Sequence, residues 1–426
     1  AEDLRHQHNC DITASSTMGM VQVYESATIL IGQHPLENGK TMGLSAYGNK
    51  ENITSNLFHD NVVNDSKFLF CGDNNTALNV SNKHLCISEI TQNNYKIYAD
   101  YALSVQLQTQ EVVGNLIEKY IQQANTKNVC ITGGYGFIGS NLVDKLIDMG
   151  VQVTIIDNFS TGKVENINPA AYVWKQDLAT VDINDLTEFM KGVDVIFHLA
   201  ALARVQPSIE QPIPYHNANV TSTHNLLAAA KEAEVKKVVF SSSSSVYGNA
   251  KVPTSEEHSL NPMSPYALHK LIGEQYMKLY SDLYNIDTVC LRYFNVYGDR
   301  MSLDGAYRLA IPIFASQIKE GKPCTITNDG KQRRDFTHVD DVVSANILTA
   351  ISEKKFNGEI YNIGNGDNVS INELVDMMGG KKIYGKKVIE PFETLASTAK
   401  IDLDLDWKPK GNLKIWLNKY KQELGI

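Results

Sequence analysis

From Asn128 onward, short β-branched apolar runs alternate with longer stretches in which apolar residues recur about every 3.6 positions. A short apolar run bounded by turn residues predicts a buried strand, and the 3.6-residue period predicts an amphipathic helix. Strands that alternate with helices in this way are typical of β-α-β units and a parallel sheet. The predicted strands are Val129–Thr132, Val151–Ile156, Val193–Leu199, Val238–Ser241 and Thr288–Leu291.

Residues 1–126 show a different pattern, because they are rich in Asn, Gln, Thr and Ser and contain only short alternating runs such as Phe68-Leu69-Phe70. A helix is predicted over about 98–122, where apolar residues such as Ala102 and Val105 recur near the helical period. The change of pattern predicts a separate N-terminal region.

Composition places the chain of 426 residues among ordinary globular proteins, since 43% of its residues are apolar and 20% are charged. A net charge of −9 argues against nucleic acid as a partner. No apolar run approaches the roughly 18 residues of a membrane-spanning helix, so no membrane contact is expected. Six cysteines without a Cys-x-x-Cys pair predict reduced thiols, no metal site and, with no signal segment, a cytoplasmic protein.

The clearest motif is Thr132–Gly139, with the sequence TGGYGFIG, between the first predicted strand and a helical run over Asn141–Met149. Glycines at this spacing allow a tight turn and a close approach of the backbone to a pyrophosphate at the helix N-terminus. Asp157 ends the second predicted strand, 18 residues after Gly139, where a carboxylate accepts hydrogen bonds from an adenosine ribose. That carboxylate would repel a 2′-phosphate, so NAD is favoured over NADP.

Two Tyr-x-x-x-Lys matches are present, and only one has a helical context. Tyr247 and Lys251 are followed by Pro253, which predicts a loop. Tyr266 and Lys270 follow Ser264-Pro265, a favourable helix start, so the phenol and the ammonium share one helix face. A nearby cation is expected to lower the pKa of Tyr266, and such a phenol can act as a general base.

A third catalytic group is expected among five serines, 241–245, that follow the predicted strand Val238–Ser241. Carboxyl ends of parallel strands are where α/β sheets bind ligands. A hydroxyl there can donate to a substrate oxygen and relay the proton of that oxygen to Tyr266. The spacing alone does not select one of the five.

Together these motifs resemble the extended short-chain dehydrogenase/reductases of the NAD-dependent nucleotide-sugar epimerase/dehydratase family. The resemblance covers residues 127–426 and is strongest to the UDP-glucose and UDP-N-acetylglucosamine 4-epimerases. Besides TGGYGFIG, the matching strings are DNFSTG (157–162), HLAA (198–201), SSVYG (244–248), YALHK (266–270), LRYFNVYG (291–298) and RRDFTHVDD (333–341).

The resemblance implies an α/β fold in which a doubly wound Rossmann sheet over 127–300 binds NAD. A smaller C-terminal α/β domain over 301–426 would bind the substrate, with the chain crossing back to the Rossmann domain near 335–365. Residues 1–126 would form an α+β appendage. That segment resembles a truncated fragment of the nodulation-type carbamoyltransferases through ENGKTMGLSAYG (37–48) and ADYALSVQLQTQEVV (99–113).

The resemblance also implies site residues, position by position. Ser243, Tyr266 and Lys270 match the catalytic residues, and Ser243, Ser244, Asn295 and Arg334 match the substrate contacts. The implied NAD contacts are Gly133, Gly136, Phe137, Ile138, Gly139, Asp157, Asn158, Ser160, Thr161, Gly162, Asp177, Leu178, Leu199, Ala200, Ala201, Asn219, Ser241, Tyr266, Lys270 and Phe294.

The implied activity is epimerisation of a UDP-sugar at C4 through a 4-keto intermediate, by a homodimer. The alternatives are a related C4-oxidising decarboxylase or dehydratase, and a redox-inert NAD-binding fusion protein. The chain departs from the family at Phe392, where an arginine usually grips the diphosphate, so weaker substrate binding is expected. A small residue, Ser397, falls where the family limits the substituent at sugar C2, which would admit an N-acetyl group.

Overall fold

The computed structural model describes residues 128–301, 309–388 and 390–426. The predicted appendage over 1–126 and its helix over 98–122 lie outside the described residues.

A seven-stranded parallel sheet forms the centre of the described structure, in the order β11-β6-β5-β4-β1-β2-β3. The strands are β1 (Asn128–Thr132), β2 (Gln152–Asp157), β3 (Tyr172–Lys175), β4 (Val195–His198), β5 (Lys237–Ser243), β6 (Asp287–Tyr293), β7 (Val296–Tyr297), β8 (Cys324–Ile326), β9 (Arg333–Asp335), β10 (Thr337–His338), β11 (Glu359–Ile363), β12 (Asn368–Ser370) and β13 (Lys382–Tyr384).

The helices lie between these strands in the chain, and a π-helical turn, Asn217–Thr221, joins two of them. The α-helices are α1 (Phe137–Asp148), α2 (Ile183–Met190), α3 (Val205–Glu210), α4 (Pro212–His216), α5 (Ser222–Glu232), α6 (Pro265–Tyr284), α7 (Ala310–Lys319), α8 (Val339–Ile351), α9 (Ile371–Met378), α10 (Ala399–Leu405) and α11 (Leu413–Leu424).

The predicted alternation of strands and helices is confirmed, and all five predicted strands belong to the large sheet. Two of its strands, β3 and β11, were not predicted. Strand β3 is a half-exposed edge strand without a continuous buried run, and β11 pairs with β6 although 65 residues lie between Tyr293 and Glu359. An edge strand and a distant pairing leave little local trace in a sequence.

Two apolar clusters cover the two faces of the sheet. One contains Leu142 of α1 and Val342 of α8, and the other contains Leu186 of α2, Leu226 of α5 and Met277 of α6. Helices therefore pack on both faces, as a doubly wound sheet requires. The strand order reverses between β1 and β4, which opens a crevice at their carboxyl ends.

A third apolar cluster forms the smaller C-terminal part, where α7, α9 and α11 pack together. Three two-stranded ladders belong to this side of the chain: β7 with β10, β8 with β13 and β9 with β12. Within the described residues, no helix has both the length and the apolar character needed to cross a bilayer.

Helix α1 begins so close to the preceding turn that only glycine fits at position 139. A Cβ placed on Gly139 would lie 2.1 Å from the carbonyl oxygen of Gly133 and 3.0 Å from Cα of Gly134. Both contacts are with backbone atoms, which cannot rotate away as a flexible side chain can.

We expect Gly139→Ala to lower the free energy of unfolding by about 1–3 kcal/mol, because overpacking outweighs the gain in helix propensity. Urea unfolding of the full chain measures this. Lys145→Ala, on the exposed face of the same helix, is the control and should change stability by less than about 0.5 kcal/mol. If Gly139→Ala is as stable as the parent, the close contact between Gly139 and the backbone of Gly133 and Gly134 is contradicted.

Candidate active site

The turn between β1 and α1 has the geometry of an anion-binding helix start. Gly136 caps α1 with an extended backbone and makes no side-chain cap hydrogen bond. The first amides of the helix, at Phe137 and Ile138, therefore have no side-chain acceptor from the cap residue and suit a pyrophosphate. The predicted glycine contacts are brought together here, which fits a dinucleotide.

Asp157 joins this turn to the loop after β2. Its Oδ2 accepts a hydrogen bond from the Tyr135 amide at 3.0 Å, and its Oδ1 accepts one from the Phe159 amide at 2.7 Å. Burial raises the pKa of Asp157, and the two amides oppose that rise. A Cβ on Gly162 would lie 3.1 Å from Oδ1. The carboxylate thus shapes the turn, while its contact with a ribose stays a prediction.

The residues expected near the adenosine lie at the ends of β2 and β3. Asn158 Nδ2 donates to Asp177 Oδ2 at 2.9 Å, and Asn158 Oδ1 accepts from the Ser160 amide at 2.9 Å. Thr161 follows Ser160 in the same loop. Leu178 is buried in an apolar cluster, so its side chain serves the core.

The segment after β4 forms the opposite wall of the crevice. The amides of Leu199 and Ala200 donate to the carbonyl and hydroxyl oxygens of Thr132, at 3.0 and 3.3 Å. Ala201 follows, and the buried Asn219 side chain binds the backbone N–H and C=O of Leu202 at 2.8 and 3.0 Å. The Asn219 amide therefore fixes the course of this wall.

Ser243 and Tyr266 are brought close together. Ser243 ends β5, and Tyr266 is the second residue of α6. Ser264 caps α6 by accepting a hydrogen bond from the Ala267 amide at 3.2 Å. The Ser243 side chain is near enough to the Tyr266 phenol to lower its pKa. Of the five serines, the one that the resemblance selected meets the phenol.

Lys270 lies one helical turn after Tyr266 and is 5% exposed. Its Nζ donates to the Ser241 carbonyl at 2.6 Å and lies 4.9 Å from the centre of the Phe240 ring. Burial lowers the pKa of Lys270 to about 8, and the nearby Glu274 carboxylate opposes that fall. The ammonium is therefore held against the end of β5.

The expected direction of the Tyr266 pKa shift is wrong for this structure. Burial raises the pKa of the phenol, and the hydrogen bond with Ser243 only partly offsets the rise. Lys270 is not among the causes of the shift, and its ammonium donates to the Ser241 carbonyl. Removal from water disfavours phenolate more than these contacts favour it.

A buried ion pair under the catalytic residues was missed by the sequence analysis. Arg292 on β6 donates to both carboxylate oxygens of Glu274, through Nε at 2.8 Å and Nη2 at 2.6 Å. The side chains are 1% and 3% exposed. Ser242 donates to Glu274 Oε1 at 2.5 Å, and Arg292 Nη1 donates to the Tyr247 hydroxyl at 2.8 Å.

Glu274 thereby ties α6 to both β5 and β6. It lies four residues after Lys270 and eight after Tyr266, so all three share one helix face. The spacing of four and eight residues was the feature of the sequence from which a role for Glu274 beside Lys270 and Tyr266 could have been predicted. The arginine partner is distant in the chain and only the fold reveals it.

The predicted substrate residues lie around the ends of β6 and β9. Phe294 is buried with Val246, Tyr247 and Ala396, next to the start of the turn that contains Ser244. Asn295 Nδ2 donates to the Asp335 carbonyl at 3.1 Å. A cavity of about 220 Å³ is lined by Arg334, Phe336, Asn365, Asp367, Asn368, Val369, Met377 and Gly411–Lys414.

We expect Glu274→Gln to lower the free energy of unfolding by about 3–5 kcal/mol, because it leaves the Arg292 charge buried without its carboxylate. Thermal and urea unfolding both measure this. The control is Asp282→Asn, which breaks the exposed Lys278–Asp282 pair on the same helix and should cost less than about 1 kcal/mol. If both variants lose a similar free energy of unfolding, the buried Glu274–Arg292 pair stabilises the fold no more than the exposed pair does, and the prediction is wrong.

Lys270→Met should stabilise the folded protein at pH 7, because a charged group with a lowered pKa opposes folding. Below pH 8 Lys270 is charged in both the folded and the unfolded state. Burial of that charge then lowers the free energy of unfolding by its full amount, about 3 kcal/mol. Above pH 8 the folded state releases its proton first, so the advantage of the variant should shrink toward pH 10. Urea unfolding of both proteins across this range measures it, and a constant difference would contradict the shift.

Comparison with known proteins agrees with this geometry. A sequence model of the NAD dependent epimerase/dehydratase family matches residues 129–364. A putative UDP-glucose 4-epimerase of Methanocaldococcus jannaschii is 39% identical over 67% of this chain and 94% of its own length. A UDP-N-acetyl-alpha-D-glucosaminuronate decarboxylase of Bacillus cytotoxicus is 37% identical over 63% of this chain and 84% of its own length.

A solved structure is similar over the same region. The UDP-N-acetylglucosamine 4-epimerase from Methanobrevibacter ruminantium M1, in complex with UDP-N-acetylmuramic acid, is 38% identical. It covers 69% of this chain and 96% of its own, with a TM-score of 0.65. With its family-model match, its parallel sheet and its dinucleotide turn, this chain belongs to the NAD-dependent epimerase/dehydratase family.

Proposed function

We propose that this protein epimerises a UDP-sugar at C4, interconverting UDP-glucose with UDP-galactose or UDP-N-acetylglucosamine with UDP-N-acetylgalactosamine. The observation that carries the proposal is the proximity of Tyr266 and Ser243 at the carboxyl end of β5. It supports an acid–base role for Tyr266 at this edge of the sheet, with Lys270 one helical turn away.

Each residue of the triad has a separate part in the proposed reaction. Tyr266 takes the proton of the sugar 4-hydroxyl, and Ser243 hydrogen-bonds to the same oxygen. The chemistry that NAD supplies when bound is reversible hydride exchange at C4. Lys270 would bind the nicotinamide ribose with its ammonium. Tyr266 gives the proton back to the C4 oxygen when the epimer forms.

Inversion requires the keto sugar to turn while its diphosphate stays in place. Asn295 and Arg334 are the proposed anchors, since a guanidinium fork suits a phosphate. Phe392 stands where the family usually has a second arginine, and its ring is 62% exposed. A phenyl ring donates no charged hydrogen bond, so we expect the diphosphate to be held less tightly than by two arginines.

Small side chains near the proposed sugar site support acceptance of an N-acetyl group. Ala396 packs beside Val246 and Phe294. The Ser397 amide donates to the Thr254 carbonyl at 2.9 Å, which fixes this segment against the loop after Tyr247. Neither side chain is large enough to fill the space that a bulky C2 substituent would need.

A homodimer is also proposed, from apolar side chains that several helices leave exposed. They are Val205 and Ile209 of α3, Ile213 of α4, and Leu268, Leu279, Leu283 and Tyr284 of α6. Helices α3 and α4 both contact α6, so these side chains lie on neighbouring helices. Clustered apolar residues of this kind are typical of an association surface.

The decarboxylase among the relatives motivates the second candidate, a C4-oxidising decarboxylase that would use the same triad. It would act on a uronic acid and release carbon dioxide, so the mass of its product would fall. Epimerisation leaves the mass unchanged. The dehydratase alternative lacks support, because the serine run after β5 contains no carboxylic acid to expel a 6-hydroxyl.

Tyr266→Phe should lower the epimerisation rate by about 10²- to 10⁴-fold, because it removes the acid–base group. Proton NMR of the anomeric signals of UDP-glucose and UDP-N-acetylglucosamine measures the rate, with mass spectrometry to check the product. Tyr276→Phe, on the same helix with its ring against His224, should retain the parent rate.

NAD binding is measured in parallel by titration, and Tyr266→Phe should bind it as the parent does. A variant that epimerises at the parent rate would refute the assigned role of Tyr266. A parent that binds NAD and converts no nucleotide sugar would favour the redox-inert reading.

A further inference from the structure

Glu390 lies at the centre of a group of hydrogen-bond donors next to the proposed diphosphate anchor. Its Oε2 accepts from Arg334 Nη2 at 2.5 Å. Its Oε1 accepts from Asn328 Nδ2 at 2.9 Å, Thr327 Oγ1 at 3.2 Å and Gln332 Nε2 at 3.3 Å. Four side chains from one segment therefore converge on a single carboxylate.

This donor group, formed by Thr327, Asn328, Gln332 and Arg334, recognises an anion, because it already holds one. The guanidinium of Arg334 is its only cation, and its side chain is 11% exposed. Its Nη1 binds the Arg333 carbonyl at 2.8 Å. The Glu390 side chain is more accessible, at 27% exposed, so an incoming anion can approach the pair from the side of Glu390.

The segment that contains Glu390 is attached independently of its carboxylate. Asn328 Oδ1 accepts from the Val388 amide at 3.0 Å. The Arg333 amide donates to the Phe392 carbonyl at 2.8 Å. These backbone contacts lie on both sides of Glu390, so the carboxylate can leave Arg334 without detachment of the segment.

We propose that Glu390 competes with the nucleotide diphosphate for Arg334 and thereby sets the affinity of the protein for its nucleotide. The inference rests on the proposed function, in which Arg334 anchors the diphosphate. A carboxylate and a diphosphate repel each other, and both need the same guanidinium edge. Binding therefore requires Glu390 to move from Arg334 or to share it at a cost in affinity.

Two consequences follow for the proposed reaction cycle. Glu390 keeps the guanidinium paired when no diphosphate is bound, so the buried charge is never left alone. It also weakens the hold on the nucleotide, because the carboxylate returns to Arg334 as the diphosphate leaves. Phe392, two residues later, adds no charge that would compensate.

Titration calorimetry of the full chain with UDP tests the competition. Glu390→Gln keeps an acceptor for Asn328 and loses the negative charge, so UDP should bind about three- to tenfold more tightly than to the parent. The affinity for UMP, which lacks the second phosphate, should rise less in Glu390→Gln than the affinity for UDP. Arg334→Gln should weaken UDP binding, and Arg334→Gln combined with Glu390→Gln should show no gain over Arg334→Gln alone.

Glu373→Gln is the matched control, since it neutralises the partner of the neighbouring Arg333, at 3.0 Å, and glutamine preserves the capping box at α9. UDP affinity should stay at the parent value in this variant. If Glu390→Gln or Glu390→Ala keeps the parent melting temperature and binds UDP no more tightly, the competition is refuted. If UDP binds to none of the proteins, the anchor role of Arg334 fails and the inference with it.

These outcomes are separate from those of the epimerisation assay. UDP has no sugar and undergoes no reaction, so tighter binding to Glu390→Gln would support the competition even if no hexose is converted. Conversion of a UDP-hexose with unchanged UDP affinity in Glu390→Gln would keep the proposed function and overturn this inference.

Discussion

The ion pair between Glu274 and Arg292 holds together the elements on which the site depends. It is buried, bidentate and bonded further to Ser242 and Tyr247. A buried charge pair is stable only when its remaining hydrogen-bonding groups are satisfied, and here the partners are neighbours of the proposed catalytic residues. The position of α6 against β5 is fixed by the same bonds that satisfy the charges.

From this pair a chain of contacts extends to the proposed substrate side. The Tyr247 hydroxyl donates to Asn362 Oδ1 at 2.7 Å, and Asn362 Nδ2 donates to the Thr254 carbonyl at 2.9 Å. Strand β11, which contains Asn362, thus joins the large sheet to the segment near Ser397. Helix α6 and the segment near Ser397 are therefore connected through one set of hydrogen bonds. By contrast, Glu390 of the Arg334–Glu390 pair is 27% exposed.

Local features could be predicted from the sequence, and long-range ones could not. The β1–α1 turn and the Tyr266 helix were predictable because glycine spacing, a Ser-Pro helix start and i,i+4 geometry act within a few residues. The pairings of Glu274 with Arg292 and of Arg334 with Glu390 span 18 and 56 positions, so only the fold brings them together. The predicted direction of the Tyr266 pKa shift was wrong, because that direction depends on burial of the phenol. The Tyr-x-x-x-Lys motif carries no information about burial.

The most direct test of the central claim follows the hydrogen at C4. UDP-N-acetylglucosamine and UDP-glucose, each deuterated at C4, are incubated with the protein and NAD and analysed by NMR and mass spectrometry. Transient oxidation at C4 predicts the galacto epimer at unchanged mass, with deuterium retained at C4. An epimer that has exchanged its deuterium for a solvent proton, or a product lighter by water or carbon dioxide, would contradict the account.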